Sequence, residues 1–501
     1  MHADVCVIGS GAGGAVAAAE LAEGGLRVVV LEEGPVRGRA DATGRPRDTL
    51  PRLYRAGGQV ATIGRPPLML PLGRGTGGTT FVNSGTCFRT PPAVLDRWRA
   101  GHGIDGLTDA LFERVEAALG VSEVTPELAG RNAATIRRGA ERLGWHGGYL
   151  RRNARGCRGS GVCAFGCPTG AKQHVGEVYL PRALEAGAEI VTGARAERIL
   201  VEHGRAGGAS VRHAGGVRAR HASATRAVGV LASTAAGPLT VRADAVIVAA
   251  GAVHTPLLLA RSGLGRSPAL GRQLTVHPAT AVWGVFDEPV DMSRGVPQSY
   301  YVDEFAHEGF VFEGIAGPPD YLALASPFSG DRLRELMLGH RHVAQCGLMV
   351  TDRSRGRVAS VRGRPVVRYD LDEHDTRTFH SGLLRLTELM RAAGARRVVL
   401  PVARMPELRD GDSRPLRQLD LRARDLKLMG FHPLGTARAH PDPARGVVDG
   451  NLRVHGTRGV HVADGAAVPG PLGVNPQITI MALATRLTHH LMQTEVPACR
   501  S

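Results

Sequence analysis

Two side chains toward the C-terminal end offer the most direct chemistry in this chain. His432 lies in Phe-His-Pro-Leu-Gly-Thr, and Asn475 lies in Gly-Val-Asn-Pro forty-three positions later. An imidazole of ordinary pKa, about 6.5, takes a hydroxyl proton at neutral pH, whereas an amide orients the oxygen without accepting its proton. The pair therefore suits proton removal from an alcohol. A second group is Cys157, Cys163 and Cys167, spaced C-x5-C-x3-C-P and followed by Thr-Gly-Ala-Lys172-Gln173. Thiols at that spacing are structural, or ligate an iron–sulfur cluster or a zinc ion with His174, or form a disulfide.

Removing the carbon-bound hydrogen as well requires an electron acceptor, and the N-terminus is built to hold one. Gly9-Ser-Gly11-Ala-Gly-Gly14 follows an apolar run at 5–8 and precedes an Ala-rich stretch at 15–21, a strand, tight turn and helix. Gly9 permits the turn, Gly11 lets a pyrophosphate approach the backbone, and Gly14 lets helix and strand pack closely. The next strand, 27–31, ends at Glu32, twenty-three residues after Gly9. A carboxylate there accepts hydrogen bonds from adenosine ribose hydroxyls and repels a 2′-phosphate, which favours FAD or NAD over NADP.

Further segments point to the same ligand. The run 73–85 contains Gly73, Gly75, Gly77, Gly78 and Asn83, too many glycines for an element interior, and reads as backbone laid against a ligand. A buried strand at 245–250 leads into 251–265, where Thr255 is expected to cap a helix with Pro256 at its first position. A short strand at 460–463 ends in Asp464-Gly465, and a helix opens at Pro476 with Ile478, Met481, Leu483 and Leu487 on its apolar face. The positive end of its dipole points at the Gly-Val-Asn475 turn and favours negative charge there.

These segments resemble those of the glucose–methanol–choline (GMC) oxidoreductases. The runs 73–85 and 251–265 look like the two family signatures, and the fingerprint and 431–487 match in the family's order, so the resemblance spans nearly the whole chain. Val-Pro-Gln-Ser-Tyr-Tyr-Val-Asp-Glu-Phe305 and His-Pro-Leu-Gly435 are most similar to the long-chain alcohol oxidase and cholesterol oxidase branches. The resemblance implies an α/β fold with a discontinuous, Rossmann-like FAD-binding domain and a substrate domain whose mostly antiparallel sheet is backed by helices. It implies FAD held by the two glycine-rich loops with Glu32, Asn83, Asp464, Gly465 and Pro476, the isoalloxazine ring lying at the Gly-Val-Asn turn. It also implies oxidation of the CH–OH group of a hydrophobic alcohol, with hydride passing to flavin N5, His432 as base and Asn475 as the second residue. Oxygen, a quinone or a redox protein would then accept the electrons. Two alternatives stay open: an FAD-containing lyase or decarboxylase, and a sugar dehydrogenase with an iron–sulfur relay, since the cysteine spacing is similar to that of bacterial FAD-dependent glucose dehydrogenases.

The expected domains are 1–92, 172–277 and 430–501 for FAD, and 93–171 with 278–429 for substrate. In the latter, 309–314 and 343–350 read as strands and 380–394 as a helix. Glu313 is expected at a surface or strand edge, with reach into a cavity as the alternative. The stretch 204–224 reads as a long hairpin loop between strands at 196–202 and 227–232. With 501 residues, 43% of them apolar, the chain can bury two cores, and no segment is apolar enough to span a bilayer. No secretory signal is visible and seven cysteines make no disulfide framework, so a reducing cytoplasm is expected. The net charge of +16 does not indicate nucleic acid: of 62 basic residues only Lys172 and Lys427 are lysines, and the arginines form no stripe.

Overall fold

The computed structural model describes residues 1–203, 225–408 and 412–494, so the loop expected at 204–224 lies outside the described residues. Two eight-stranded sheets organise the chain. The first begins with the strand His2–Ile8, whose partners are Val28–Glu32 on one side and the second half of Gly237–Val248 on the other, both parallel. Glu189–Thr192 extends this sheet beyond Val28–Glu32, and Val460–Val462 adds in parallel to Gly237–Val248. The stretches 5–8, 28–31 and 245–248 of these strands are unbroken apolar runs, because residues pointing to either face of the sheet are buried. The first half of Gly237–Val248 instead pairs antiparallel with Thr225–Thr234, which pairs with Arg195–His203. The strand reading of 196–202 and 227–232 thus holds.

The second sheet is antiparallel through Pro278–Val285, Val343–Val350, Phe310–Gly314, Tyr300–Val302 and Gly147–Tyr149. Helices Pro126–Leu143 and Glu373–Ala392 back it, and Phe310, Phe312, Leu348, Phe379 and Leu383 fill the space between. The fold is therefore the α/β architecture expected, with the helix at 380–394 starting a full two turns earlier, where Asp372 caps it by accepting the Asp375 N–H.

One expectation is corrected here. Thr255 is not a cap: its helix runs Gly251–Arg261 with Pro256 inside, and the Thr255 hydroxyl donates to Asp464 at 2.5 Å. The block 93–171 is divided between the two cores. Val94, Trp98, Phe112 and Leu119, from the helices Pro92–His102 and Asp109–Leu119, pack with the first sheet, whereas Ala133, Ile136 and Ala140 pack with the second. Among the described residues, no helix is long and apolar enough to cross a membrane.

Candidate active site

One cavity of about 400 Å3 runs from the carboxyl end of the first sheet to the inner face of the second, within the usual range for ligand sites. Its first half is backbone. Gly9 turns at φ +96°, and a Cβ there would lie 2.4 Å from the Ala249 oxygen. A Cβ on Gly14 would lie 2.0 Å from the Gly9 oxygen, so helix and strand touch through it. A Cβ on Gly11 would meet nothing within 4 Å and would project into the cavity. That space is what a pyrophosphate needs, and it sits at the start of the helix Ala12–Glu23.

Glu32 ends its strand beside this turn. One carboxylate oxygen accepts the Ser10 N–H (3.1 Å) and hydroxyl (2.7 Å), and the other accepts the Gly34 N–H (2.8 Å). A carboxylate offers about four acceptor positions, so capacity remains for a ribose hydroxyl. Gly73, Gly75, Gly78 and Asn83 line the cavity, whereas Gly77 stands behind it and donates its N–H to Ser10 Oγ at 3.3 Å. The Asn83 amide donates to Gln477 Oε1 at 2.9 Å, tying this loop to the first turn of the helix Gln477–Thr494. Asp464, Gly465 and Pro476 also line the cavity. The Asp464 carboxylate is taken up by three donors, the Gly251 N–H (2.7 Å), the Thr255 hydroxyl and the Ala466 N–H (2.7 Å), which join the middle and C-terminal segments. The chain thus supplies a turn, a carboxylate and a helix start arranged for a dinucleotide, and these residues fit FAD.

The second half carries side chains. His432 follows the short strand Met429–Gly430, and its N–H donates to the Val276 oxygen at 3.1 Å. Its Nε2 lies 3.5 Å from Asn475 Nδ2, so the structure brings the two residues together. Desolvation lowers the His432 pKa to about 4, which leaves the ring neutral at neutral pH. Glu313, expected at a surface or strand edge, is instead 5% exposed and lines the cavity. The pleat decides this: Phe310 and Phe312 point to the helices, so Glu313 must point to the other face. Gly347 is its cross-strand neighbour, and Ile315 fills the space that a Cβ there would take. Burial pushes its carboxyl up to about 7, opposed by a hydrogen bond from Asn475. Gln298 donates to Glu313 Oε2 at 3.0 Å, while Oε1 is buried without a partner.

Sequence reasoning missed His277 and Gln298. His277 Nδ1 is 3.2 Å from His432 Nδ1, and the only signal for it was a His-Pro pair like that at 432–433. Gln298 stands in the quoted Val-Pro-Gln-Ser phrase, where nothing local reveals that it faces a cavity.

Among the described residues, the cysteines form no group close enough to hold a cation. Cys157 Sγ accepts the Gly159 N–H (3.5 Å), Cys163 Sγ accepts from Arg152 Nη2 (3.2 Å), and Cys167 Sγ pairs with the Thr169 hydroxyl (3.2 Å). Among the described residues all six cysteines are free, and none joins His174 in a group close enough to hold a metal ion. The His174 Nδ1 accepts the Gly176 N–H as a helix cap. Lys172 clamps the loop by donating to the oxygens of Asn83 (2.7 Å) and Cys163 (3.0 Å). The zinc and disulfide readings are overturned, nothing supports the iron–sulfur cluster, and the thiols read as structural.

Comparison with known proteins defines the class. The chain matches family models described as GMC oxidoreductase over residues 50–279 and 352–484, and one for an NAD(P)-binding Rossmann-like domain over 7–70. It is 43% identical to an uncharacterized GMC-type oxidoreductase of Mycobacterium tuberculosis, over 96% of this chain and 75% of that protein. This chain belongs to the GMC family of flavin oxidoreductases. It is also 29% identical to the Arabidopsis thaliana long-chain-alcohol oxidase FAO4B, over 97% of this chain and 66% of that one. In fold it is similar to pyridoxine 4-oxidase from Mesorbium loti, with a TM-score of 0.73 and 19% identity over 98% of this chain and 99% of that one.

Proposed function

We propose that this protein is an FAD-dependent oxidoreductase that oxidises the CH–OH group of a hydrophobic alcohol. The observation that carries the reading is the convergence of His432, Asn475 and Glu313 on one end of the cavity whose other end is shaped for a dinucleotide. When bound, the flavin supplies the hydride acceptor. The chain does the rest. Asn475 and His432 flank the position of the carbinol oxygen, and the hydroxyl proton goes either to His432, as the sequence suggests, or to Glu313, which is half ionised near neutral pH and has a free oxygen.

Substrate class follows from the walls. Ala279, Ile315, Ala316 and Met349 line the cavity beside this polar trio, so apolar carbon chains are favoured over polyhydroxylated sugars. The resemblance to long-chain-alcohol oxidases points the same way. The test is anaerobic mixing of flavin-loaded protein with a panel of primary aliphatic alcohols, a sterol and a sugar, followed by flavin absorbance. Bleaching by the apolar alcohols is expected; bleaching by the sugar alone would overturn the substrate class, and by none of them the activity.

A further inference from the structure

We propose that Tyr321 is a specificity-determining residue whose hydroxyl binds a second oxygen of the substrate, a hydroxyl, carbonyl or ether carried on its apolar body away from the reacting carbinol. The inference rests on the alcohol-oxidising reading and narrows its substrate class.

The cavity wall that carries Glu313 continues through Ile315 and Ala316 to Tyr321, in the first turn of the helix Pro319–Ala325. The other side of this arm is the cysteine loop, through Gly161, Ala164 and Phe165. The two sides meet where the Phe165 and Tyr321 rings pack edge-on, with centroids 5.5 Å apart.

Two phenol hydroxyls belong to this arm, and one of them is spent. Tyr54 Oη donates to the Ala164 oxygen at 2.6 Å. Tyr321 Oη makes no hydrogen bond among the described residues. The Tyr321 side chain is partly accessible, yet desolvation raises its hydroxyl pKa above the ordinary 10, so the accessible part faces the enclosed cavity and not bulk water. An unmet phenol in such a place is costly, and a ligand oxygen meets it. Because a phenol both donates and accepts, the partner is a hydroxyl, a carbonyl or an ether.

The chain fixes both sides of the arm with its two lysines. Of 62 basic residues only Lys172 and Lys427 are lysine, and an ammonium, compact and with rotatable donors, suits clustered carbonyl oxygens better than a planar guanidinium. Lys172, on the oxygens of Asn83 (2.7 Å) and Cys163 (3.0 Å), holds the turn Cys163–Phe165. Lys427 donates to the oxygens of Leu324 (3.3 Å) and Ser326 (2.9 Å), at the carboxyl end of Pro319–Ala325, where a positive charge also suits the helix dipole. The Tyr321 ring lies on Gly317, where a Cβ would come within 3.0 Å of Tyr321 Cδ1, and the next residue, Leu322, is fully buried in the second core. The hydroxyl is therefore held in place before a substrate arrives, which keeps its selectivity from being lost to ordering. The cysteine motif serves as the facing wall.

The test compares α,ω-alkanediols, from hexanediol to dodecanediol, with 1-alkanols of equal length on flavin-loaded wild type and Tyr321→Phe. Calorimetry reads binding, and anaerobic flavin reduction reads the limiting rate. In wild type the best-fitting diol should bind at least about tenfold more tightly than its alkanol, beyond the factor of about two from its two reacting ends, with similar limiting rates. Tyr321→Phe keeps the ring against Phe165 and should abolish the preference, weakening the diol about tenfold or more and the alkanol less than about twofold. Absence of a diol preference at every length in wild type would overturn the inference, as would equal weakening of diol and alkanol by Tyr321→Phe, the mark of a merely structural role. If the variant does not fold, the wild-type series decides alone. Flavin reduction by alkanols and diols with equal affinities would sink the role of Tyr321 and leave the alcohol oxidation standing; diol-selective binding, lost in Tyr321→Phe, with no flavin reduction by any alcohol would do the reverse.

Discussion

Replacing Glu313 with Gln isolates the proton acceptor while preserving shape, because the Gln carbonyl can still accept from Gln298, now 3.0 Å from Oε2. A carboxyl raised from its ordinary 4.5 to about 7 costs roughly 3 kcal/mol to ionise in place, so wild-type enzyme holds the base form in about half its molecules at pH 7 and about a tenth at pH 6. Alcohol-dependent flavin reduction, followed anaerobically by stopped flow at saturating alcohol, should therefore rise with pH and level off above about 8. In Glu313→Gln the plateau should fall by about 10²–10⁴-fold, which corresponds to roughly 3–5 kcal/mol of barrier, and the rise through pH 7 should vanish. Stability shifts the opposite way. A raised carboxyl pKa stabilises the fold fully below about 4.5, and this contribution is lost as pH rises through about 7, so the Gln variant should lose less stability than wild type between pH 5 and 8. A variant that reduces its flavin within tenfold of wild type at pH 8, with the same profile, would refute the reasoning.

His432→Ala should retain flavin, whose cradle lies in other segments, yet slow reduction by about 10²–10⁴-fold through loss of the oxygen's partner; wild-type rates would exclude any role for this ring. Asp464→Ala leaves three buried donors unmet, each costing about 1–3 kcal/mol, and should lower both the thermal midpoint and flavin retention; an unchanged midpoint would show that the middle and C-terminal segments are held together otherwise. Denatured protein should release FAD without nicotinamide dinucleotide and without stoichiometric iron, and release of nicotinamide dinucleotide alone would contradict the cofactor proposed from the Gly9–Glu32 turn.

Much of this protein is legible in its sequence because the signals are local. Gly9 and Gly14 are readable as glycine because a turn at positive φ and a helix–strand contact each exclude a Cβ within a few residues of chain. Buried parallel strands announce themselves as unbroken apolar runs, as at 5–8 and 28–31, since both faces are covered. His432 and Asn475 are marked by the Pro and Gly residues that shape their turns. What tertiary structure alone decided is which side chains meet. Thr255 looked like a cap, but its hydroxyl reaches Asp464, two hundred and nine residues away, and no local pattern encodes that partner. Glu313 looked like a strand-edge acid, and only the burial of Phe310 and Phe312 on the helix side turns it into a cavity where desolvation raises its pKa. His277 carried no signal beyond its His-Pro pair. Its contacts exist because the fold sets it between His432 and the Leu472 and Gly473 amides, hydrogen-bond partners that no linear pattern contains.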